Sequence, residues 1–94
     1  MSGLAHNMSG KALFEQKKLA PADKEFRAAL PLVEGNDQLK AETLFYAGLV
    51  NYQMKNIPDA LKFNQQCAAI KSPFQAQAAK NASVMRQQGA GAKK

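Results

Sequence analysis

The sequence predicts an all-α protein built from antiparallel helix pairs, and three observations predict it. The apolar residues are rich in alanine and include no tryptophan, which favours helices that approach one another closely. Turn signals containing Pro or Gly recur along the chain. No segment alternates apolar and polar residues with the two-residue period of a strand. With 94 residues the chain forms one domain at most.

The first turn signals separate two predicted helices. Residues 1–8 are expected to be flexible or to start a helix, and Ser9 is the predicted N-cap of a first helix that ends near Leu19. Pro21 suits the first turn of the second helix. Pro31 lacks a backbone donor, so we expect it to kink or end that helix.

Three further helices are predicted in the remaining chain. Asp37 is the expected cap of a third helix over about 38–54, and Pro residues open a fourth at about 58–70 and a fifth at about 73–88. Residues 89–94 are rich in Gly, Ala and Lys and predict a flexible basic tail. The expected buried residues of the third helix are Leu39, Leu44, Leu49 and Tyr52.

The fifth helix carries one apolar stripe and a polar back. Such a pattern is typical of a helix that caps the end of a helical array. A helix lying on a membrane surface is the alternative, but a stripe that is mostly alanine anchors poorly. The stripe consists of Phe74, Ala78, Ala82 and Met85.

The sequence contains an internal repeat with an offset of 38 residues. Each copy predicts a helix, a short Pro-containing turn and a second helix. Small residues recur where two helices of a pair would cross. The aligned pairs are Gly10 with Gly48, Ala22 with Ala60, Phe26 with Asn64, and Ala29 with Cys67.

With Leu44, Gly48, Ala60 and Cys67 at its key positions, the chain resembles the tetratricopeptide repeat family, with Pro73 one place later than usual. The resemblance covers about residues 9–88. It implies an α-solenoid of about two repeats plus a C-terminal capping helix. The chain departs from the family pattern where Asn51 replaces a tyrosine and Asn64 replaces an aromatic residue.

In this family the first helices of successive repeats line a concave groove for a peptide or a partner helix. The resemblance therefore predicts a partner-binding groove, in which exposed aromatic residues would contribute most. An equally weighted alternative places Tyr52 in the core. The family's carboxylate clamp is not expected, because Tyr46 and Ala76 replace two of its residues. The predicted groove contains Asn7, Lys11, Phe14, Glu42, Phe45, Tyr46, Leu49, Tyr52, Gln53, Ala76 and Lys80.

The net charge of +6 arises in the C-terminal third of the chain. Residues 1–59 contain all seven acidic residues and seven basic ones, whereas residues 60–94 contain six basic residues and no acid. This asymmetry could attract an acidic protein or a nucleic acid. The basic residues are sparsely spaced, which favours a solvated helix face over a nucleic-acid site.

The sequence holds no constellation of residues that predicts an enzyme, a metal site or a cofactor. Cys67 is the only cysteine and His6 the only histidine. Cys67 is expected to be a small buried packing residue rather than a reactive thiol, and His6 a surface residue. No apolar run is long enough to span a membrane, and the first twenty residues lack a secretory signal. If the chain is complete, a cytoplasmic location is favoured.

The sequence therefore predicts a protein-interaction or scaffold module that binds a protein or peptide partner. A self-association module, forming a homodimer or packing on another domain of a larger protein, is one alternative. A weak electrostatic binder of nucleic acid is the other.

Overall fold

The computed structural model describes residues 2–92, and the side chains of residues 2–88. The described residues form helices and turns and contain no strand, so the all-α prediction is confirmed. None of these helices is both long and apolar enough to cross a membrane. In chain order they are α1 (Gly3–Glu15), α2 (Leu19–Ala29), a short 3₁₀ helix (Leu30–Leu32), α3 (Asp37–Gln53), α4 (Ile57–Ala68) and α5 (Gln75–Ala92).

The helices pack mainly on their neighbours in sequence. Short turns join α1 to α2 and α3 to α4, so each of these two pairs is antiparallel. Helix α2 then packs on α3, and α5 packs on α4. The result is an elongated body of 43 × 29 × 19 Å. Its core is rich in alanine and includes Ala22, Phe26, Ala41, Leu44, Ala47, Val50, Phe63, Cys67 and Ala78.

The turns inside the two pairs have the same geometry. Lys17 and Lys55, which are 38 residues apart, both adopt a left-handed backbone conformation, with φ of 62° and 65°. In each turn the amide of the following residue donates to a carbonyl five residues earlier, in the last turns of the preceding helix. This hydrogen bond is 2.9 Å long in the first turn and 2.8 Å long in the second. The internal repeat of the sequence thus corresponds to a repeated local structure.

The two helices of each pair approach closely at a glycine. A Cβ atom added at Gly10 would lie 2.7 Å from the ring of Phe26, and one added at Gly48 would lie 2.5 Å from Nδ2 of Asn64. Ala60 is fully buried beside Gly48. These contacts confirm that Gly48 and Ala60 lie where α3 and α4 cross, as the repeat predicted.

Two helix caps differ from the prediction. Ser9 lies inside α1, and Ser2 is the cap instead, with its Oγ accepting a hydrogen bond from the amide three residues on. Asn36 rather than Asp37 caps α3 in the same way. Both alternatives are good capping residues, and propensity alone does not rank neighbouring candidates. Of the two expectations for residues 1–8, the start of a helix is the one observed from Gly3 onward, and residue 1 lies outside the described residues.

The ends of α2 and α5 test the other predicted boundaries. Helix α2 ends at Ala29 and the chain continues as the 3₁₀ helix that contains Pro31, which confirms the predicted break. Helix α5 continues to Ala92, so its predicted end near residue 88 is wrong. Residues 93–94 of the predicted tail lie outside the described residues, and the flexibility of the tail stays a prediction.

Of the apolar residues that were predicted to be buried, some are buried, some are half-buried and one is exposed. In α3, Leu44 is buried, Leu39 and Leu49 are half-buried, and Tyr52 is exposed. Of the two environments predicted for Tyr52, the core is therefore wrong. Tyr52 is the second-last residue of α3. In α5 the stripe of Ala78, Ala82 and Met85 is buried as predicted, and Phe74 is half-buried just before the helix.

Candidate partner-binding face

Five aromatic rings form a connected group, here called the aromatic cluster: Phe14, Phe26, Phe45, Tyr46 and Phe74. Tyr46 lies at its centre, with ring centroids 6.0 Å from Phe14, 6.1 Å from Phe26 and 5.9 Å from Phe45. Phe45 also contacts Phe74 at 5.0 Å. Only Phe26 is fully buried. Three of the predicted groove residues, from α1 and α3, are therefore brought together with part of each ring open to solvent.

Lys11 places a positive charge beside this cluster. Its Nζ lies 5.4 Å from the centroid of the Tyr46 ring and 3.2 Å from Oε1 of Glu42. Both Lys11 and Glu42 belong to the predicted groove, and both side chains are about one-third exposed. The positive charge of Lys11 is attracted to the face of the Tyr46 ring, and the neighbouring Glu42 carboxylate offsets part of that charge. The pair holds α1 against α3 at the edge of the cluster.

The other predicted groove residues extend along α3 and α5 without joining the cluster. Leu49 is half-buried one turn beyond Phe45, and Gln53 is exposed. The hydroxyl of Tyr52 accepts a hydrogen bond from Nε2 of Gln88 at 3.0 Å, which links the ends of α3 and α5. Lys80 is exposed on α5, and no ion pair of the described residues involves it.

Asn7 and Ala76, also named for the groove, have different environments. Asn7 is fully buried, and its Nδ2 donates to Oγ1 of Thr43 at 2.7 Å. Its carbonyl oxygen has no partner among the described residues. Asn7 therefore packs between α1 and α3 instead of lining the groove, whereas Ala76 is exposed on α5.

A polar network across α2, α3 and α4 was not predicted. We call it the Asn51 network, and it comprises Asp23, Arg27, Asn51, Asn56 and Asp59. The buried Asn51 amide donates to Oδ1 of Asp23 at 2.8 Å and to the carbonyl of Ala47 at 2.8 Å. Its carbonyl oxygen accepts from Arg27 and from Asn56, each at 3.2 Å. Arg27 also contacts Asp23 at 2.9 Å and Asp59 at 2.7 Å.

The charges of the Asn51 network stabilise one another. The hydrogen bond from Arg27 lowers the pKa of Asp59 below its ordinary value. Burial works against the charge of Arg27, but its bonds to Asp59 and Asp23 raise the pKa of the guanidinium overall. The guanidinium also lies over the ring of Phe63, 5.0 Å from its centroid. The network thus holds α2 against α3 and α4.

Asn64 satisfies its polar groups within the α3–α4–α5 junction. It is fully buried, and its Nδ2 donates to the carbonyl of Ala60 at 2.8 Å. Its carbonyl oxygen accepts from Asn81 of α5 at 3.3 Å. The sequence did contain a signal of these polar contacts. Asn51 and Asn64 stand where the repeat pattern that the chain resembles has aromatic residues, so polar side chains were to be expected at two interior positions.

Cys67 is buried in the core, and His6 is paired with a carboxylate. Cys67 is fully buried, as predicted, and its thiol donates to the carbonyl of Ala41 at 3.3 Å. Burial raises its pKa to about 11, which disfavours the reactive thiolate. His6 Nδ1 lies 3.0 Å from Oε1 of Glu25, a pairing that the sequence did not indicate. Within residues 2–92, no group of three His, Cys, Asp or Glu residues could hold a metal ion.

Comparison of the chain with protein-family models, with curated proteins and with solved structures found no match.

Proposed function

We propose that this chain is a protein-interaction module of tetratricopeptide type, which binds a peptide or a partner helix on the face formed by α1, α3 and α5. We call this surface the groove face and define it by Lys11, Phe14, Phe45, Tyr46, Leu49, Tyr52, Gln53 and Lys80. The observation that carries the proposal is the partly exposed aromatic cluster. Aromatic side chains contribute large contact areas at small entropic cost and are enriched at interfaces.

The packing supports a binding role for this face over a purely structural one. The rings of Phe14, Phe45 and Tyr46 are held by one another and by the buried Phe26, so their orientations are fixed before a partner arrives. A preorganised surface loses less conformational entropy on binding. Tyr52 and Leu49 continue the face along α3, and Tyr52 is 38% exposed.

The tetratricopeptide assignment is supported by the repeated geometry. Two helix pairs share a left-handed turn residue and a close glycine crossing at the same offset, and α5 covers the end of the second pair. The small residues at Gly48 and Ala60 match the family pattern in position and in packing role. In such an arrangement the first helix of each pair lies on one face, and three of the five cluster residues belong to these helices: Phe14 of α1, and Phe45 and Tyr46 of α3.

The test uses a peptide library displayed on phage, selected against the full chain and followed by titration of the selected peptides by fluorescence anisotropy. We expect saturable binding that Tyr52→Ala and Leu49→Ala each weaken about tenfold, as interface hot spots do. Leu32→Ala removes an equally apolar exposed side chain outside the groove face and serves as the matched control. If no peptide saturates, or if Leu32→Ala weakens binding as much as Tyr52→Ala does, the groove proposal is wrong.

A further inference from the structure

Two contacts join the C-terminal part of the chain to α3 at separate points of the groove face. At one point the rings of Phe45 and Phe74, just before α5, lie with their centroids 5.0 Å apart. At the other point Nε2 of Gln88 donates a hydrogen bond to the hydroxyl of Tyr52 at 3.0 Å. Between these two contacts α3 presents Leu49, which is half-buried. The groove face therefore continues from α3 towards α5.

The contact of Gln88 shows which side of α5 borders the groove face. Asn81 and Val84 precede Gln88 by seven and four residues, so the three side chains share one face of the helix. Asn81 is half-buried and donates to Asn64 of α4 at 3.3 Å, whereas Val84 is 46% exposed. Val84 thus lies within one turn of the point where Gln88 meets Tyr52, although the sequence did not assign it to the groove. We call this surface the α3–α5 groove and define it by Leu49, Tyr52, Val84 and Gln88.

Lys80 places a positive charge at the edge of the α3–α5 groove. It precedes Val84 by four residues, which sets their Cβ atoms about 5–6 Å apart on a helix. No ion pair of the described residues involves Lys80, whereas Lys11, the other cation of the groove face, is paired within the chain at 3.2 Å. Asp59 is the only acidic residue of α4 and α5, and Arg27 holds it at 2.7 Å. The charge of Lys80 therefore has no counterpart on these two helices.

We infer, on the basis of the proposed function, that the partner peptide places an apolar side chain in the α3–α5 groove and an acidic side chain on Lys80. The apolar side chain would cover the exposed parts of Tyr52 and Val84, and the acidic one would form a charge-assisted hydrogen bond. The hydrogen bond between Tyr52 and Gln88 orients the ring before the peptide arrives. A single lysine beside apolar side chains fits a peptide better than a nucleic acid, whose sites cluster their basic residues.

A charge reversal tests the acidic contact, with the peptides selected on phage against the full chain as probes. Each peptide should carry an acidic residue close in sequence to an apolar one. In anisotropy titrations at about 150 mM salt, Lys80→Glu should weaken binding at least about tenfold. Replacing the acidic residue of the peptide by lysine should weaken binding to the wild-type chain and restore part of the affinity for the Lys80→Glu chain.

Arg86→Glu is the matched control for this reversal. It changes the net charge of the chain equally and lies on the same helix, but Arg86 is two residues from Gln88 and faces away from the α3–α5 groove. It should change the dissociation constant by less than about twofold, because salt screens the more distant charge. Circular dichroism verifies that both variants fold.

A truncation tests the apolar contact. Val84→Ala should weaken the same peptides about fivefold, whereas Leu32→Ala, at a similarly exposed apolar position outside the groove, should have no effect. The inference is overturned by selected peptides without an acidic residue, by equal effects of Lys80→Glu and Arg86→Glu, or by a neutral Val84→Ala. It is also overturned if a labelled single-stranded oligonucleotide binds more tightly than the peptides.

The same titrations separate this inference from the proposed function. If peptides bind saturably and Tyr52→Ala weakens them, the proposed function holds even where the Lys80 and Val84 variants overturn the inference. If no peptide saturates, both are wrong.

Discussion

Gly48 is the position where a single added methyl group should be most informative. In an exposed helix interior, replacing Gly by Ala stabilises a protein by about 1 kcal/mol, because alanine has the higher helix propensity. At Gly48 the new Cβ would lie 2.5 Å from Nδ2 of Asn64 and 3.2 Å from its Cγ. Real Cβ atoms do not approach other atoms so closely, so α3, α4 or the Asn64 side chain has to move.

Asn64 has little freedom to move away. Its side chain is fully buried, and its Nδ2 donates to the carbonyl of Ala60 at 2.8 Å, so a displaced amide would lose this bond inside the core. Overpacking costs about 1–3 kcal/mol and an unsatisfied buried amide about 1–3 kcal/mol. These terms exceed the helix-propensity gain, and we expect Gly48→Ala to destabilise the chain by about 1–3 kcal/mol.

Urea denaturation followed by circular dichroism measures this effect, with the midpoint compared at an unchanged m-value. Gly35→Ala is the control, because a Cβ at Gly35 has no neighbour within 4 Å and its φ is not positive, so the variant should be neutral or slightly stabilised. In the double variant Gly48→Ala, Asn64→Ala the clash is removed, and the two changes should be less destabilising together than their sum. A Gly48→Ala chain as stable as the wild type would refute the reasoning about this crossing.

Three other substitutions or measurements test further features. Lys55→Gly should stabilise the chain by about 0.5–1 kcal/mol, because Lys55 has φ of 65° and glycine adopts this conformation without steric cost. The same change at Lys62, inside α4, should cost about 1 kcal/mol, and urea denaturation measures both effects. Because the pKa of Asp59 is lowered in the folded state, its contribution to stability is present above the ordinary value of 3.8 and is lost as the pH falls through the folded pKa. Asp59→Asn should therefore cost at most about 1 kcal/mol at pH 7, and thermal melts should show a smaller cost as the pH is lowered below 3.8. The Cys67 thiol, with a pKa of about 11, should react with a thiol reagent at pH 8 at least about 100-fold more slowly in the native chain than in urea, and comparable rates would contradict its burial.

The helices and their turns could be predicted because their signals are local. Pro31 ends α2 through its own missing donor, and Gly48 marks a helix crossing through its own missing side chain. The choice between Ser2 and Ser9 as the cap of α1 could not be made in this way. Both residues offer the same hydroxyl. By starting after Ser2, α1 also packs Gly3 on the 3₁₀ helix, and this tertiary contact cannot be recognised from the local sequence.

The site could be predicted only in part, for a similar reason. The family resemblance assigned Phe45 and Tyr46 to the groove, and both rings lie in the aromatic cluster. It did not reveal the Asn51 network, because that network depends on three helices meeting at one point. Asn7 was assigned to the groove by its position in the family pattern, but it is buried and donates a hydrogen bond to Thr43 of α3, a contact between helices that the local sequence does not specify.

The neighbour-to-neighbour packing of the helices has a consequence for how the chain acquires its structure. Because α1 packs on α2 and α3 on α4, most contacts join residues that are close in sequence. Chains with such a low contact order fold on a timescale of microseconds to milliseconds. During synthesis each helix can pack on the following helix as soon as that helix has left the ribosome. The α1–α2 pair can therefore form before α5 has been made.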